Sequence, residues 1–131
     1  MFRIFVIFGI ICTIFHISCS KDEVENQNTY NTKINFISPA EDSEYTIGDT
    51  IKISAVITSD ISMHGYEILI HNKTQKNIIP LKNKHTHGKE IILDENWIVD
   101  VKNKTDLEIE IVAAIDHLGN QISAIRKVKC N

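Results

Sequence analysis

The sequence contains few of the residues that mark fibrous, disordered or disulfide-stapled chains. Its 131 residues include only two prolines, five glycines and three cysteines. The low proline and glycine content excludes collagen-like and low-complexity structure, and a hydrophobic content of 43% excludes a fully disordered chain. A chain of this length provides one domain and leaves no room for a second sizeable one.

The sequence also lacks the short motifs of the large enzyme classes. It contains no G-x-S-x-G, no glycine-rich phosphate loop and no H-E-x-x-H. The formal net charge is −3, and the absence of a basic block argues against nucleic acid as a partner. We therefore expect a small binding or structural module and not an enzyme.

The first 18 residues are predicted to be a secretory signal peptide. Arg3 precedes an apolar run from Ile4 to Ile17, which suits the hydrophobic region of such a signal and is short for a membrane span. The run ends in Ile17-Ser18-Cys19, which resembles the lipobox of bacterial lipoproteins. The resemblance implies cleavage before Cys19, lipidation of its thiol and anchoring to a lipid membrane.

The segment that follows Cys19 is polar and has no periodicity, so residues 19–32 are predicted to be a lipidated flexible tether. It begins with Ser20-Lys21-Asp22-Glu23, which resembles the export tag of surface-exposed lipoproteins in some Gram-negative bacteria. The resemblance implies an outer-membrane lipoprotein at the cell surface, with a periplasm-facing anchor left open. Residues 33–131 then form the folded domain.

The domain is predicted to be all-β. Apolar side chains alternate with polar ones, most clearly from Leu107 to Ile115, and this is the period of a half-buried strand. Trp97 falls in a corner between two strands. The predicted strands cover residues 34–37, 50–58, 65–71, 77–81, 90–93, 107–115 and 121–129. Seven short antiparallel strands indicate a β-sandwich.

Several turn residues resemble those of immunoglobulin-like, fibronectin-III-like modules. They are Pro39, Gly48-Asp49 and the hairpin Asp116–Asn120. The segments His64–Glu67 and His85–Gly88 also resemble those of small, uncharacterised bacterial lipoproteins with this fold. The resemblance implies the sandwich architecture and supplies no chemistry.

Histidines are the residues most informative about function. The fibronectin-III strand order brings the loops after the second, fourth and sixth strands to one end of the sandwich. His64, His85, His87 and His117 occupy these loops or their edges, and so we expect them to converge. His71 belongs at the opposite end.

Converging neutral imidazoles predict a transition-metal site for Zn²⁺ or copper. An extended backbone directs His85 and His87 to the same side, His64 would supply a third ring, and His117 is auxiliary. Met63 would offer a thioether that favours Cu(I). Three nearby lysines oppose a cation, namely Lys82, Lys84 and Lys89.

Two functions stay open from the sequence. The first is an extracytoplasmic, membrane-anchored module that binds a metal through these histidines. The second is a surface-displayed module that uses the same loops to bind a protein or a glycan without metal. Hydrolysis by a metal-bound water, with Asp116 or Glu67 as base, is a distant third because no cleft is evident.

Overall fold

The computed structural model describes residues 30–131. The predicted signal peptide, Cys19 and most of the tether lie outside these described residues. Within residues 30–131 no helix is long and apolar enough to cross a membrane. The strands in this part of the chain are β1 (Lys33–Ser38), β2 (Ser43–Tyr45), β3 (Thr50–Asn72), β4 (Asn77–Ile98), β5 (Thr105–Ala114) and β6 (Gln121–Cys130).

The alternating pattern gives each strand one buried face. In β3, Ile51, Ile53, Ala55 and Ile57 are fully buried, while Lys52 between them is exposed. The same alternation runs through β5 from Leu107 to Ala113 and places its apolar side chains in the same core. Each buried isoleucine or leucine contributes about 1.5–3 kcal/mol, and this burial drives the fold.

The strands form two layers that face each other across this core. In one layer, the first half of β3 pairs with β1 and with the second half of β4. In the other, the second half of β3 lies between the first half of β4 and β5, followed by β6 and β2. β3 and β4 therefore run together from one layer into the other as a bent hairpin.

The predicted all-β sandwich is confirmed, but two of its strand boundaries are wrong. The predicted strands 50–58 and 65–71 are one strand, β3, and the predicted strands 77–81 and 90–93 are one strand, β4. The reason is that register shifts between Thr58 and Gly65 bend the hairpin without ending it. Consequently, the segments expected to be loops there are parts of strands.

Two further differences concern single elements. Trp97, expected in a corner, lies within β4 opposite Ile51 and packs in the core. The strand β2 has only three residues and pairs in parallel with the end of β6. A segment this short carries no readable alternation, so the sequence did not predict it.

Candidate metal centre

Gly65 lies where three segments of the sandwich meet. In the register of the sheet it is opposite His85 of β4 on one side and opposite Ala114, the last residue of β5, on the other. Its φ is +145°, and a Cβ at this position would collide with the carbonyl oxygen of Lys84. The strands therefore approach each other closely here because residue 65 has no side chain.

Four histidine rings lie together beside this close approach of the strands. The Nδ1 atom of His64 and the Nε2 atom of His87 are 3.0 Å apart, within hydrogen-bond distance. The ring centroids of His85 and His87 are 4.6 Å apart, and those of His64 and His117 are 3.8 Å apart. The predicted convergence of the four histidines is thus confirmed, while their role as metal ligands stays a prediction. We call these four residues the histidine cluster.

His117 is held in the cluster by the β5–β6 hairpin. Oδ1 of Asp116 accepts hydrogen bonds from the backbone N–H groups of Leu118 and Asn120, at 2.9 and 3.1 Å. Its Oδ2 accepts from the Asn120 side-chain amide at 2.6 Å. These bonds, led by that of the Asn120 side chain, lower the pKa of Asp116 below its ordinary value. The carboxylate therefore acts as a turn residue that fixes the position of the next residue, His117.

His64 is the least exposed ring of the cluster. It is half-buried, whereas His85, His87 and His117 are exposed. Desolvation, together with the charge that His117, His87 and His85 would carry when protonated, lowers the pKa of His64 below 6.5, against a smaller opposite effect of Asp116. The lowered pKa favours the neutral imidazole, which is the form that binds a metal.

The arrangement as it stands provides a pair of ring nitrogens and not a complete coordination sphere. Among residues 30–131, no group of three or more His, Cys, Asp or Glu side chains is placed to hold a metal ion. His64 and His87 supply the pair, and the ring centroids of His64 and His85 are 6.4 Å apart. A third ligand requires His85 or His117 to rotate, and exposed side chains do so within picoseconds to nanoseconds.

Other sequence-predicted residues near the cluster behave differently. Met63 is fully buried in the core, so the expectation of a thioether ligand is wrong. In an alternating strand the neighbour of a ring that faces solvent points inward. His71 lies at the opposite end, as expected, where its Nε2 is 2.7 Å from Oε2 of Glu110.

The three lysines that opposed a cation site are not equivalent. Lys82 forms an ion pair with Glu95, with 3.2 Å between Nζ and Oε1. Glu95 also accepts a 3.5 Å hydrogen bond from the hydroxyl of buried Tyr66, and burial and this carboxylate both raise the pKa of Tyr66. Lys84 and Lys89 are exposed to solvent, which screens their charge.

Two residues of this end were not singled out by the sequence reasoning. Gly65 carries a signal that could have found it, because an isolated glycine inside a strand pattern indicates a bulge or a close backbone approach. Tyr30 carries none: it falls in the predicted tether, yet its hydroxyl donates a 3.3 Å hydrogen bond to Oδ2 of Asp116.

The two layers and their shared core define the chain as an immunoglobulin-like, fibronectin-III-like β-sandwich. Comparison with protein-family models and with curated proteins finds no match. Among solved structures, fibronectin(III)-like modules of CbhA from Clostridium thermocellum are similar, with 17% identity over 75% of this chain and 94% of that one, at a TM-score of 0.48.

Two other solved structures are similar to a comparable degree. A CARDB domain from Pyrococcus furiosus, in complex with di-metal ions, has 10% identity over 78% of this chain and 87% of its own, at a TM-score of 0.47. A Niemann-Pick type C2 protein from the Japanese carpenter ant has 14% identity over 77% and 89%, at a TM-score of 0.49. These likenesses carry no conclusion about the function of this chain.

Proposed function

We propose that this protein is a membrane-anchored, extracytoplasmic lipoprotein whose sandwich domain binds Zn²⁺ or copper through the histidine cluster. His64, His85 and His87 are the ligands, and His117 or water completes the coordination. The role is that of a metal carrier, sensor or scavenger outside the cytoplasm.

One observation carries the proposal: four imidazoles from three separate segments lie against one another at one end of the domain. They come from β3, from β4 and from the β5–β6 hairpin, and neighbouring rings in the chain His85–His87–His64–His117 have centroids 3.8–4.8 Å apart. Four unrelated surface histidines, each surrounded by water, would not be expected to lie in contact with one another. Neutral imidazole is a donor that suits Zn²⁺ and Cu²⁺.

The His64–His87 pair already has nearly the spacing of two metal ligands. Nitrogen ligands of tetrahedral Zn²⁺ lie 2.0–2.1 Å from the ion, so two of them are about 3.3 Å apart. The separation of 3.0 Å is close to this value. An ion would therefore replace the hydrogen bond between the two rings with little movement of the backbone.

The charge around the histidine cluster opposes a bound cation less than the three nearby lysines alone would imply. Glu95 compensates Lys82, and Asp116, beside His117, adds a negative charge at the same end. Because Met63 is buried, the available donors are nitrogens. This donor set favours Zn²⁺ and Cu²⁺ over Cu(I).

Anchoring and location rest on the sequence. The lipobox-like Ile17-Ser18-Cys19 supports lipidation at Cys19, and Ser20–Glu23 supports display on the outer face of the outer membrane. The periplasmic face is the alternative location.

Isothermal titration calorimetry on residues 19–131 tests metal binding. We expect one Zn²⁺ per chain with sub-micromolar affinity for the wild type, and a loss of that binding in a His85→Ala/His87→Ala variant. His71→Ala is the matched control, because it removes a histidine from the opposite end of the same domain. Equal, weak binding by all three proteins would refute the proposal.

A second candidate function is recognition of a surface protein or glycan by the same end of the domain. Leu118, next to His117, is 83% exposed, and an exposed apolar side chain at a loop tip suits a binding surface. Elemental analysis of protein purified without a His tag separates the two. A stoichiometric metal supports the first function, and its absence together with capture of a defined partner supports the second.

A further inference from the structure

The chain enters the sandwich at the histidine end. Just before β1, the backbone N–H of Asn31 donates a 3.2 Å hydrogen bond to Oδ1 of Asp60. The hydroxyls of Thr32 and Ser59 are 2.8 Å apart. With the bond from Tyr30 to Asp116, three consecutive residues of the entering chain are attached to this end.

The partners of these residues belong to the segments that carry the histidines. Asp116 directly precedes His117, and Ser59 and Asp60 lie on β3 shortly before His64. The opposite end holds the turn after β3, around Gln75, and the end of β6. The entry of the chain and the histidine cluster are therefore on the same side of the domain.

The distance from Cys19 to this entry point is limited by the chain itself. Ten residues, 20–29, lie between Cys19, the predicted lipid anchor, and Tyr30. The covalent geometry of the chain limits the distance from Cys19 to Tyr30 to at most about 40 Å. The opposite end of the domain is farther away by the length of a ten-residue strand, which is about 30 Å.

We infer that the histidine end of the domain is its membrane-facing end, turned towards the bilayer surface to which Cys19 is attached. This inference rests on the proposed lipidation of Cys19 and does not depend on whether a metal binds. The contacts of residues 30–32 determine which end of the domain faces the membrane, because they fix the point at which the tether joins the domain.

The orientation has a consequence for the site. Any ion that His64 and His87 exchange comes from or goes to the layer next to the membrane, and the exposed Leu118 faces the same layer. The opposite end, with the turn around Gln75, is the part of the domain presented away from the bilayer.

Energy transfer from tryptophan to a lipid dye tests this orientation directly. Trp97 is the only tryptophan of the chain, so Trp97→Phe gives a background without donor. Leu118→Trp then places a donor at the histidine end, and Gln75→Trp places one at the opposite end; both side chains are exposed. Residues 19–131 are coupled through Cys19 to a maleimide lipid in phosphatidylcholine vesicles that contain dansyl phosphatidylethanolamine. Cys130 is buried and its pKa is raised, so Cys19 is the reactive thiol.

We expect at least about twofold greater transfer efficiency from residue 118 than from residue 75, because the two sites are about 30 Å apart along the strands. Equal transfer, or greater transfer from residue 75, would overturn the inference. Proteins that begin at Ser20 give the uncoupled baseline. If Trp97→Phe fails to fold, the added transfer from each new tryptophan is measured in the wild-type background.

Because the lipid is attached chemically, this experiment tests the orientation separately from lipidation in cells and from metal binding. Failure of lipidation in cells, or failure of metal binding, is detected by other experiments and leaves this comparison intact. A wrong orientation appears in the transfer efficiencies alone.

Discussion

His64 and His87 are 23 residues apart in the chain, yet their ring nitrogens Nδ1 and Nε2 are 3.0 Å apart. Gly65 lets the paired strands β3 and β4 approach each other closely beside these rings, at one end of the sandwich. The two imidazoles lie on two different strands, and the proposed metal binding depends on this pair.

Removal of either ring of this pair should weaken Zn²⁺ binding strongly. Removal of a group that only hydrogen-bonds to a metal ligand weakens metal binding roughly 10–100-fold. His64 and His87 are proposed to bind the metal directly, so we expect His64→Ala and His87→Ala each to lose at least as much affinity. His117→Ala should lose less, because water can take its place. Calorimetry at pH 7 measures this, and a His117→Ala loss larger than that of His64→Ala would contradict the assignment.

Binding should also weaken below about pH 6, because protonated imidazole does not coordinate a metal. Titrations at pH 7.5 and at pH 5.5 measure this dependence. The pKa of His64 is lowered by desolvation and by the neighbouring histidines, which favours the neutral, metal-binding form of this ring. An affinity that is the same at both pH values would argue against imidazole ligands.

The close approach at Gly65 should make this position intolerant of a side chain. Gly65→Ala introduces a Cβ that collides with the Lys84 carbonyl at a φ of +145°, so we expect a loss of about 1–3 kcal/mol in the free energy of unfolding. Gly48→Ala is the matched control. Gly48 also has a positive φ, but its Cβ would meet no atom within 4 Å. If urea unfolding gives the same loss in the free energy of unfolding for both variants, the strands do not approach closely at Gly65.

The ion pair between Lys73 and Glu108 gives a pH-dependent contribution far from the cluster. The 2.8 Å hydrogen bond from Lys73 lowers the pKa of Glu108 below 4.5, against the opposing effect of its burial. A lowered pKa in the folded state stabilises the fold above the unfolded pKa, and this contribution is lost as the pH falls through the folded value.

Lys73→Ala should therefore raise the pKa of Glu108 and lower the free energy of unfolding at pH 7 by less than about 1 kcal/mol, since Lys73 is half exposed and screened. The difference from wild type should vanish at a pH below the folded pKa. Carboxyl chemical shifts and urea unfolding measure both effects. A Glu108 pKa that does not change in the variant would contradict the assigned cause.

Lipidation should depend on Cys19. We expect cells given an alkynyl fatty acid to label the wild-type chain and to leave Cys19→Ala unlabelled, because the thiol is the acceptor. Ser20→Ala, the neighbouring substitution, should be labelled like the wild type. Labelling that persists in Cys19→Ala would place the lipid elsewhere or refute the lipobox.

The sandwich could be predicted from the sequence because it depends on which side chains are buried, and the alternation of apolar and polar residues shows this directly. From Leu107 to Ile115 every second residue is apolar, and these side chains are buried in the structure. The end of the domain on which the four histidines lie was also predictable, because chain routing in an antiparallel sandwich follows from strand order.

The details that escaped prediction are set by register and tertiary contacts. The continuity of β3 past Thr58 depends on bulges that leave no periodic signal. Met63 appeared accessible because it lies beside His64, but the strand directs it into the core. The pairing of His71 with Glu110 joins residues 39 positions apart, and only the β3–β5 register brings them together.

The most direct test of metal binding by the histidine cluster is a crystal structure of the Zn²⁺-loaded protein with anomalous data at the zinc edge. We expect one anomalous peak about 2.0–2.1 Å from Nδ1 of His64 and from Nε2 of His87, with His85 or His117 rotated towards it. A peak bound only at His71, or no peak from protein soaked at saturating zinc, would contradict it.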